Sequence, residues 1–445
     1  MRLLAHAPAL SVCLPTLVLA QSSSADVDRG WIPRVLGWQV TIIGQTLLPF
    51  HSPYAQATSL AGDGDQAVSH TYGLYLGSRI SNRLGAYLDL EDARGKGISH
   101  VTGLGGPTNG DVIRQGSADL GDGPYIARAF LRYTGPLGSK SSPVERGVDQ
   151  LAASVPDQRL EVVAGKFAVS DLFDLNRYAN STRTQFLDWG LFQNTAWDFA
   201  ADTRGYTNGV SVALISPVWT LRIGSFQMPT RANGNVFDDD IADARSDNAE
   251  VTWRSLVHGT VVRVLGYVNH ARMGDYATAI ALGIARDTAP DIVGTDQSDR
   301  AKYGFGLNIE QPIADSGETG LFMRFGWNDG ATESFAFAEV DRHVSFGGQL
   351  SGARWHRSSD RAGLAVIVHG LSSLHRQYLE RGGSGFLLGD GRLNYAPEMI
   401  IEGYYRWQWG RFVEVTPDVQ FIARPGYNRD RGPATVFSVR ANVRY

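Results

Sequence analysis

From residue 36 to the C-terminus, apolar and polar residues alternate with a period of two in one segment after another. The last eleven residues, TVFSVRANVRY, show it: Phe437, Val439, Ala441, Val443 and Tyr445 share one edge, and Ser438, Arg440, Asn442 and Arg444 share the other. A strand with two unlike edges lies between two unlike environments. In EMIIEGYYRWQW the apolar edge is Met399, Ile401, Gly403, Tyr405, Trp407 and Trp409, opposite Glu398, Glu402, Arg406 and Gln408. The same reading of YIARAFLRY sets Tyr125, Ala127, Ala129, Leu131 and Tyr133 against Arg128 and Arg132. In LFMRFGW it turns Arg324 inward.

Alternation of this kind predicts sixteen strands, near residues 36–45, 70–80, 84–92, 124–134, 159–167, 207–215, 218–227, 249–256, 260–271, 302–311, 319–328, 342–354, 361–371, 397–409, 412–424 and 434–445. Each has about the length that crosses a bilayer when tilted. The joints alternate as well. Ser81-Asn82, Val257-His258-Gly259 and Gly410-Arg411 are tight, whereas joints at the other end are mostly long and rich in Gly, Asp, Ser and Asn. Short turns on the periplasmic side and long loops outside are the signature of an up-and-down membrane barrel. Residues 135–158 break the rule, a long joint where a turn is expected.

A soluble sandwich alternates too, with its polar face in water. The number of strands in one meander argues against it, as do the aromatics at strand ends: Tyr125, Tyr133, Trp219, Trp327, Trp407, Trp409 and Tyr445 suit a girdle at headgroup level. The expected fold is therefore an all-β transmembrane antiparallel barrel of about sixteen strands with a water-filled lumen, its last strand closing against the first near VLGWQVTIIG.

The N-terminus agrees with export. Arg2 precedes the apolar ALSVCLPTLVLA, and Val18 and Ala20 supply the small residues of a cut after Ala20, so residues 1–20 read as a signal peptide. Residues 21–35 then form a short lead and 36–445 the barrel. The single cysteine, Cys13, falls inside the signal, which leaves the mature chain no disulfide, thiolate metal site or cysteine nucleophile. A formal net charge of -4 gives no argument for nucleic-acid binding.

The segment 165–206 does not alternate. It mixes Asp171, Asp174, Asp188, Asp198 and Asp202 with Arg177, Arg183, Arg204 and many aromatics, too apolar a composition to float in water. It is expected to fold into the barrel mouth and narrow it.

Several blocks resemble one known family. They are Gly165-Lys166-Phe167, Asp171, Phe173 through Ala179, Thr184-Gln185-Phe186, Trp197-Asp198 and Ala201 through Tyr206. Further on come Asp360 through Leu364, Glu402 through Arg406, Thr416 through Gln420 and Pro425 through Asp430. Together they resemble the carbohydrate-selective porins of the OprB type. That resemblance implies a sixteen-stranded outer-membrane barrel admitting sugars by diffusion. The C-terminal Tyr445 resembles the aromatic by which the assembly machinery recognises such barrels.

A neutral polyol is held by aromatic faces and by hydrogen bonds from Arg, Asp, Glu and Asn, weakly enough to leave. The candidate eyelet residues are Arg128, Arg132, Arg324, Glu402, Arg406 and Asp418 from the wall, with Asp171, Asp174, Asn176 and Arg177 from the loop. Arg222, Arg263, Glu310, Arg424 and Arg440 are further inward charges. The expected partners are sugar solutes and outer-membrane lipid, with monomer and trimer both open.

Rival readings are a porin for small anions or other nutrients, and an outer-membrane barrel enzyme. The enzyme would need a Ser/His/Asp or acidic dyad at the rim, which the sequence does not offer. No cofactor is expected. The acidic stretch 238–250 lacks the glycine and final glutamate of a calcium loop, GLGGPTNG (103–110) lacks a phosphate-binding lysine, and the histidines show no metal-ligand spacing.

Overall fold

The computed structural model of the chain describes residues 30–113, 120–121 and 123–445. The proposed signal peptide and most of its lead lie outside that range. The first strands are β1 (Gly30–Leu47), β2 (Asp65–Ser81), β3 (Leu84–Gly95) and β4 (Tyr125–Pro136). A small separate pair follows, β5 (Ser141–Val144) and β6 (Ala153–Pro156). The main sheet resumes with β7 (Arg159–Phe167), β8 (Thr207–Ile215), β9 (Trp219–Gln227), β10 (Arg245–Arg254), β11 (Val261–Met273) and β12 (Gln297–Ala314). It ends with β13 (Thr319–Asn328), β14 (Arg342–Ser351), β15 (Arg361–Gly370), β16 (Glu398–Trp409), β17 (Val413–Ala423) and β18 (Ala434–Arg444).

All but β5 and β6 form one closed antiparallel barrel of sixteen strands. β1 closes it against β18, from Gln39 opposite Arg444 to Leu47 opposite Val436. Main-chain bonds between Trp38 and Tyr445 of 3.1 and 3.0 Å extend the seam to the last residue. Pairing begins at Gly30, so the barrel starts six residues before the predicted boundary. Among the described residues, no helix is long and apolar enough to cross a membrane.

The long joint is real. Its ends pair as the β5/β6 hairpin on the turn side of the barrel. The acidic stretch is divided, because Arg245 already starts β10, so Glu250 belongs to a strand and points inward.

Alternation places the side chains as expected, with one exception. β3 and β4 slip register between Asp89 opposite Arg128 and Leu90 opposite Ile126, which leaves Ala127 as an extra residue. Such a bulge reverses the face of everything before it. Ile126 therefore meets lipid, and Tyr125, expected in the girdle, turns into the lumen against Tyr206. Trp219, Trp407, Trp409 and Tyr445 do lie on the outside.

The outer surface carries the apolar edges, among them Ile223, Val251, Val264 and Phe346. The apolar core lies inside the barrel. Phe173, Trp197 and Phe199 of the segment between β7 and β8 pack on Phe226, Leu265 and Tyr267 of the wall. Phe186 packs edge-on against Tyr404, 4.9 Å between ring centres.

Val264→Arg, on the lipid face of β11, is expected to cost about 2–4 kcal/mol near the bilayer midplane. The check is the loss of the compact, heat-resistant folded band when the refolded protein is run unboiled in detergent. Unaltered resistance would remove Val264 from the hydrocarbon.

Candidate functional site

The connection from 168 to 206 enters the lumen and lies along the inner wall from β10 to β18. Few of its backbone groups meet bulk water there, so they need partners inside the barrel. Inward charges of the wall supply them. Glu402 accepts from the main-chain N–H of Leu187 at 2.5 Å and of Asp188 at 2.9 Å. Glu250 accepts from Asp174 N–H at 2.8 Å, and Glu310 from Arg177 N–H at 2.6 Å. Arg440 donates to the carbonyls of Thr182 and Gln185.

Arg324 sits at the centre of this clamp. Its guanidinium donates to the carbonyls of Leu191 at 2.6 Å and Ala179 at 2.8 Å, and pairs with Asp174 at 3.0 Å. Asp174 also accepts from Asn308 at 2.6 Å, and Asn176 donates to the Asn308 carboxamide oxygen at 2.8 Å. Arg177 reaches the turn after β12, where it pairs with Glu318 at 3.0 Å. Further up, Asp198 accepts from Ala336 N–H and pairs with Lys302 at 3.1 Å.

A second segment joins the first. GLGGPTNG folds into the lumen, where Trp189 N–H donates to the Pro107 carbonyl and Gly110 N–H to the Leu187 carbonyl. Gly105 donates its N–H to Glu398, and a Cβ there would collide with the Tyr427 hydroxyl. Glycine is required by that close approach. His343 and His369, opposite one another on β14 and β15, share the Thr195 hydroxyl at 2.8 and 3.0 Å. Both rings hold the inserted segment through that hydroxyl. Among the described residues no cluster of His, Cys, Asp or Glu could hold a metal ion.

Among the described residues, these segments leave an open space on the side of the lumen facing β1–β4 and β7. A cavity of about 510 Å³ runs there, from Arg204 and Phe337 at the loop end to Val148 and Asp149 at the turn end. Arg128, Arg132 and Asp171 of the predicted eyelet line it, while Asp174, Asn176, Arg177, Arg324, Glu402, Arg406 and Asp418 do not. Arg406 lies near the turn end, 3.9 Å from Glu414, and Asp418 is buried beside Glu402 and Arg440.

Arg128 forms a bidentate pair with Asp171, both contacts 2.7 Å, and reaches Asp89 at 3.4 Å. Across from it Arg183 pairs with Asp111 at 2.7 Å and Glu91 at 3.0 Å and donates to the Tyr75 hydroxyl. Burial opposes the charge of Arg183, but Asp111 and Glu91 outweigh it and hold the group protonated well above its usual range. Behind the loop, burial and then Glu402 push the Asp188 carboxyl well above the ordinary carboxylate range. Tyr125 and Tyr206 both donate to Glu91, and the Arg204 guanidinium lies 4.5 Å over the Tyr125 ring. Trp189, Phe192 and Phe199 line the opposite side.

Sequence reasoning did not single out Glu91, Tyr75, Asp111 or Asp149 for the site. Alternation along β3 puts Tyr87, Asp89 and Glu91 on one edge, which is the signal the sequence offers for Glu91. Asp111 and Asp149 lie in irregular segments with no such pattern.

A closed barrel of sixteen strands, with a connection folded inside beside an open polar cavity, defines an outer-membrane porin. The chain belongs to the family described as carbohydrate-selective porin, OprB family, which it matches over residues 90–445. Its function is that of the family, diffusion of carbohydrates across the outer membrane.

Solved porin structures share its fold. OprB of Pseudomonas putida superimposes with a TM-score of 0.67 at 15% identity, covering 92% of this chain and 94% of that one. The anion-selective porin from Comamonas acidovorans gives 0.51 at 11% identity, covering 93% of this chain and 100% of that one. The channel DcaP of Acinetobacter baumannii gives 0.50 at 9% identity, covering 93% and 97%. No curated protein sequence matches the chain.

Replacing Arg324 by alanine would strand the buried Asp174 carboxylate, and breaking such a pair costs roughly 3–5 kcal/mol. The expected outcome is a lower unfolding temperature in detergent together with a noisier, larger single-channel current as the inserted segment loosens. A variant with wild-type current and melting would show that the clamp does not depend on Arg324.

Proposed function

We propose that neutral mono- or oligosaccharides pass through the cavity beside β1–β4, held transiently between Arg128, Arg132, Arg183, Glu91 and Asp171 and the rings of Tyr75, Trp189 and Phe192. One observation carries this reading. The cavity is lined by the cations Arg128, Arg132, Arg183 and Arg204 and by the carboxylates of Glu91, Asp111, Asp149 and Asp171, four of each sign. Charges that pair with one another offer donors and acceptors in fixed directions without a net field for ions, which suits a polyol. Asp174, Asn176, Arg324 and Glu402 act as supports that hold the inserted segment to the wall, Asp418 lies behind Glu402, and Arg177 and Arg406 act near the turn end.

Transport is passive and the barrel performs no catalysis. Each chain encloses its own passage, so conduction needs no second copy, and a trimer would serve stability in the membrane. Residues 1–20 direct export and are then removed by cleavage after Ala20, and Tyr445 at the seam is the mark read by the barrel-assembly machinery.

The test is single-channel current in planar bilayers with a panel of neutral sugars and organic anions. Sugars are expected to block the current reversibly. Arg183→Ala removes charge-assisted hydrogen bonds worth roughly 1.5 kcal/mol, so block should weaken about tenfold. Block by organic anions but not by sugars would favour the anion reading. Hydrolysis with no conductance would favour a barrel enzyme.

A further inference from the structure

The joint between β4 and β7 is the longest turn-side connection among the described residues, and its tip does not hang free. Between β5 and β6 the chain bends into the barrel mouth. Arg146 donates to the carbonyls of Val35 and Leu36 on β1, and Arg79 of β2 donates to the carbonyl of Ala152. Leu151 is only 2% exposed. It fits a recess floored by glycine: a Cβ on Gly77 would lie 3.2 Å from Leu151 Cγ, and one on Gly85 3.6 Å from Leu151 Cδ1. Val148 is packed as closely on Gly37, where a Cβ would come within 3.1 Å of its Cα. Two apolar anchors and two arginine clasps therefore hold the residues between them in a single place.

The residue so placed is Asp149. Its carboxylate lines the turn end of the cavity and faces Arg128 and Arg132 of β4, Asp89 of β3 and Asp171 of the inserted segment. Next to it, Gln150 accepts from Arg132 at 3.3 Å. Burial lifts the Asp149 carboxyl above the usual carboxylate range, while Arg128 and Arg132 favour its ionised form.

We infer that the periplasmic hairpin 137–158 is a second selectivity element, which delivers the Asp149 carboxylate to the exit of the pore and there sets its preference for uncharged polyols over anions. The inference rests on the sugar route proposed above. Without Asp149 the lining would hold four guanidinium groups against three carboxylates. That surplus of positive charge would sit at the turn end, where anions would gain. The inserted segment and the hairpin thus act in series, one forming the passage and the other the sign of its exit.

Reversal potentials across a potassium chloride gradient test this on the full-length porin. Asp149→Asn is expected to shift the anion-to-cation permeability ratio toward anions by about twofold, the size of one unit charge acting across several ångströms of water, with sugar block retained. A second variant guards against a folding defect. With the signal that carries Cys13 removed, Asp149→Cys is the only thiol, and an anionic methanethiosulfonate reagent added from the periplasmic side is expected to return the ratio toward wild type and to lower the current. An unchanged reversal potential in Asp149→Asn, or a cysteine whose modification leaves the current unaltered, overturns the inference. Absence of sugar block in the wild-type channel would instead remove the sugar route while leaving the charge measurement to judge Asp149.

Discussion

In hydrocarbon a peptide N–H or C=O has no water to turn to, and that one constraint governs the whole molecule. A sheet with an edge would leave a row of such groups unpaired, so β1 must find β18. The seam reaches the last residue, where Trp38 and Tyr445 exchange main-chain bonds. Closure then divides every strand into a lipid edge and a lumen edge, and the alternation along the chain follows from the division.

The same demand recurs inside the barrel. A connection folded into the lumen takes dozens of peptide groups away from bulk water, and the wall must answer them. This accounts for carboxylates as different in position as Glu250, Glu310, Glu398 and Glu402 all accepting from main-chain N–H groups of lumen segments. Arg324 and Arg440 answer carbonyls in the same way. A buried charge that meets backbone dipoles and a counter-ion is tolerable, whereas one left alone is not. The inward charges of β10 to β18 are thus mainly structural, and the aromatic packing of Phe173, Phe186 and Trp197 fills the space between them.

Function occupies what is left over. Because the inserted segment leans on β10 to β18, the open passage runs beside β1 to β4, and its chemistry comes from three separate parts of the chain. The wall gives Arg128, Arg132 and Glu91, the lumen segments give Asp111, Asp171 and Arg183, and the hairpin gives Asp149. Pairing among these groups, as in the bidentate contact of Arg128 with Asp171, holds their directions fixed while cancelling their net field. A passage of this kind can offer hydrogen bonds to a solute without trapping an ion.

The sequence by itself determined the barrel, the number of its strands and the inward direction of Arg128, Arg324 and Glu402, and it marked the region between β7 and β8 as one where the alternation stops. All of these follow from a period of two and from its interruption, which are local properties of the chain. Tertiary structure decided the rest. One extra residue at Ala127 turned Tyr125 from the lipid face to the lumen, a register event invisible in composition. Alternation says only that a side chain points inward, and this lumen holds two environments, a packed one under the inserted segment and an open one opposite. Arg324 and Arg128 read alike in sequence, yet one is sealed against Asp174 and the other lines the pore. The choice between them depends on which wall the segment leans against, and that is fixed by contacts among residues more than a hundred positions apart.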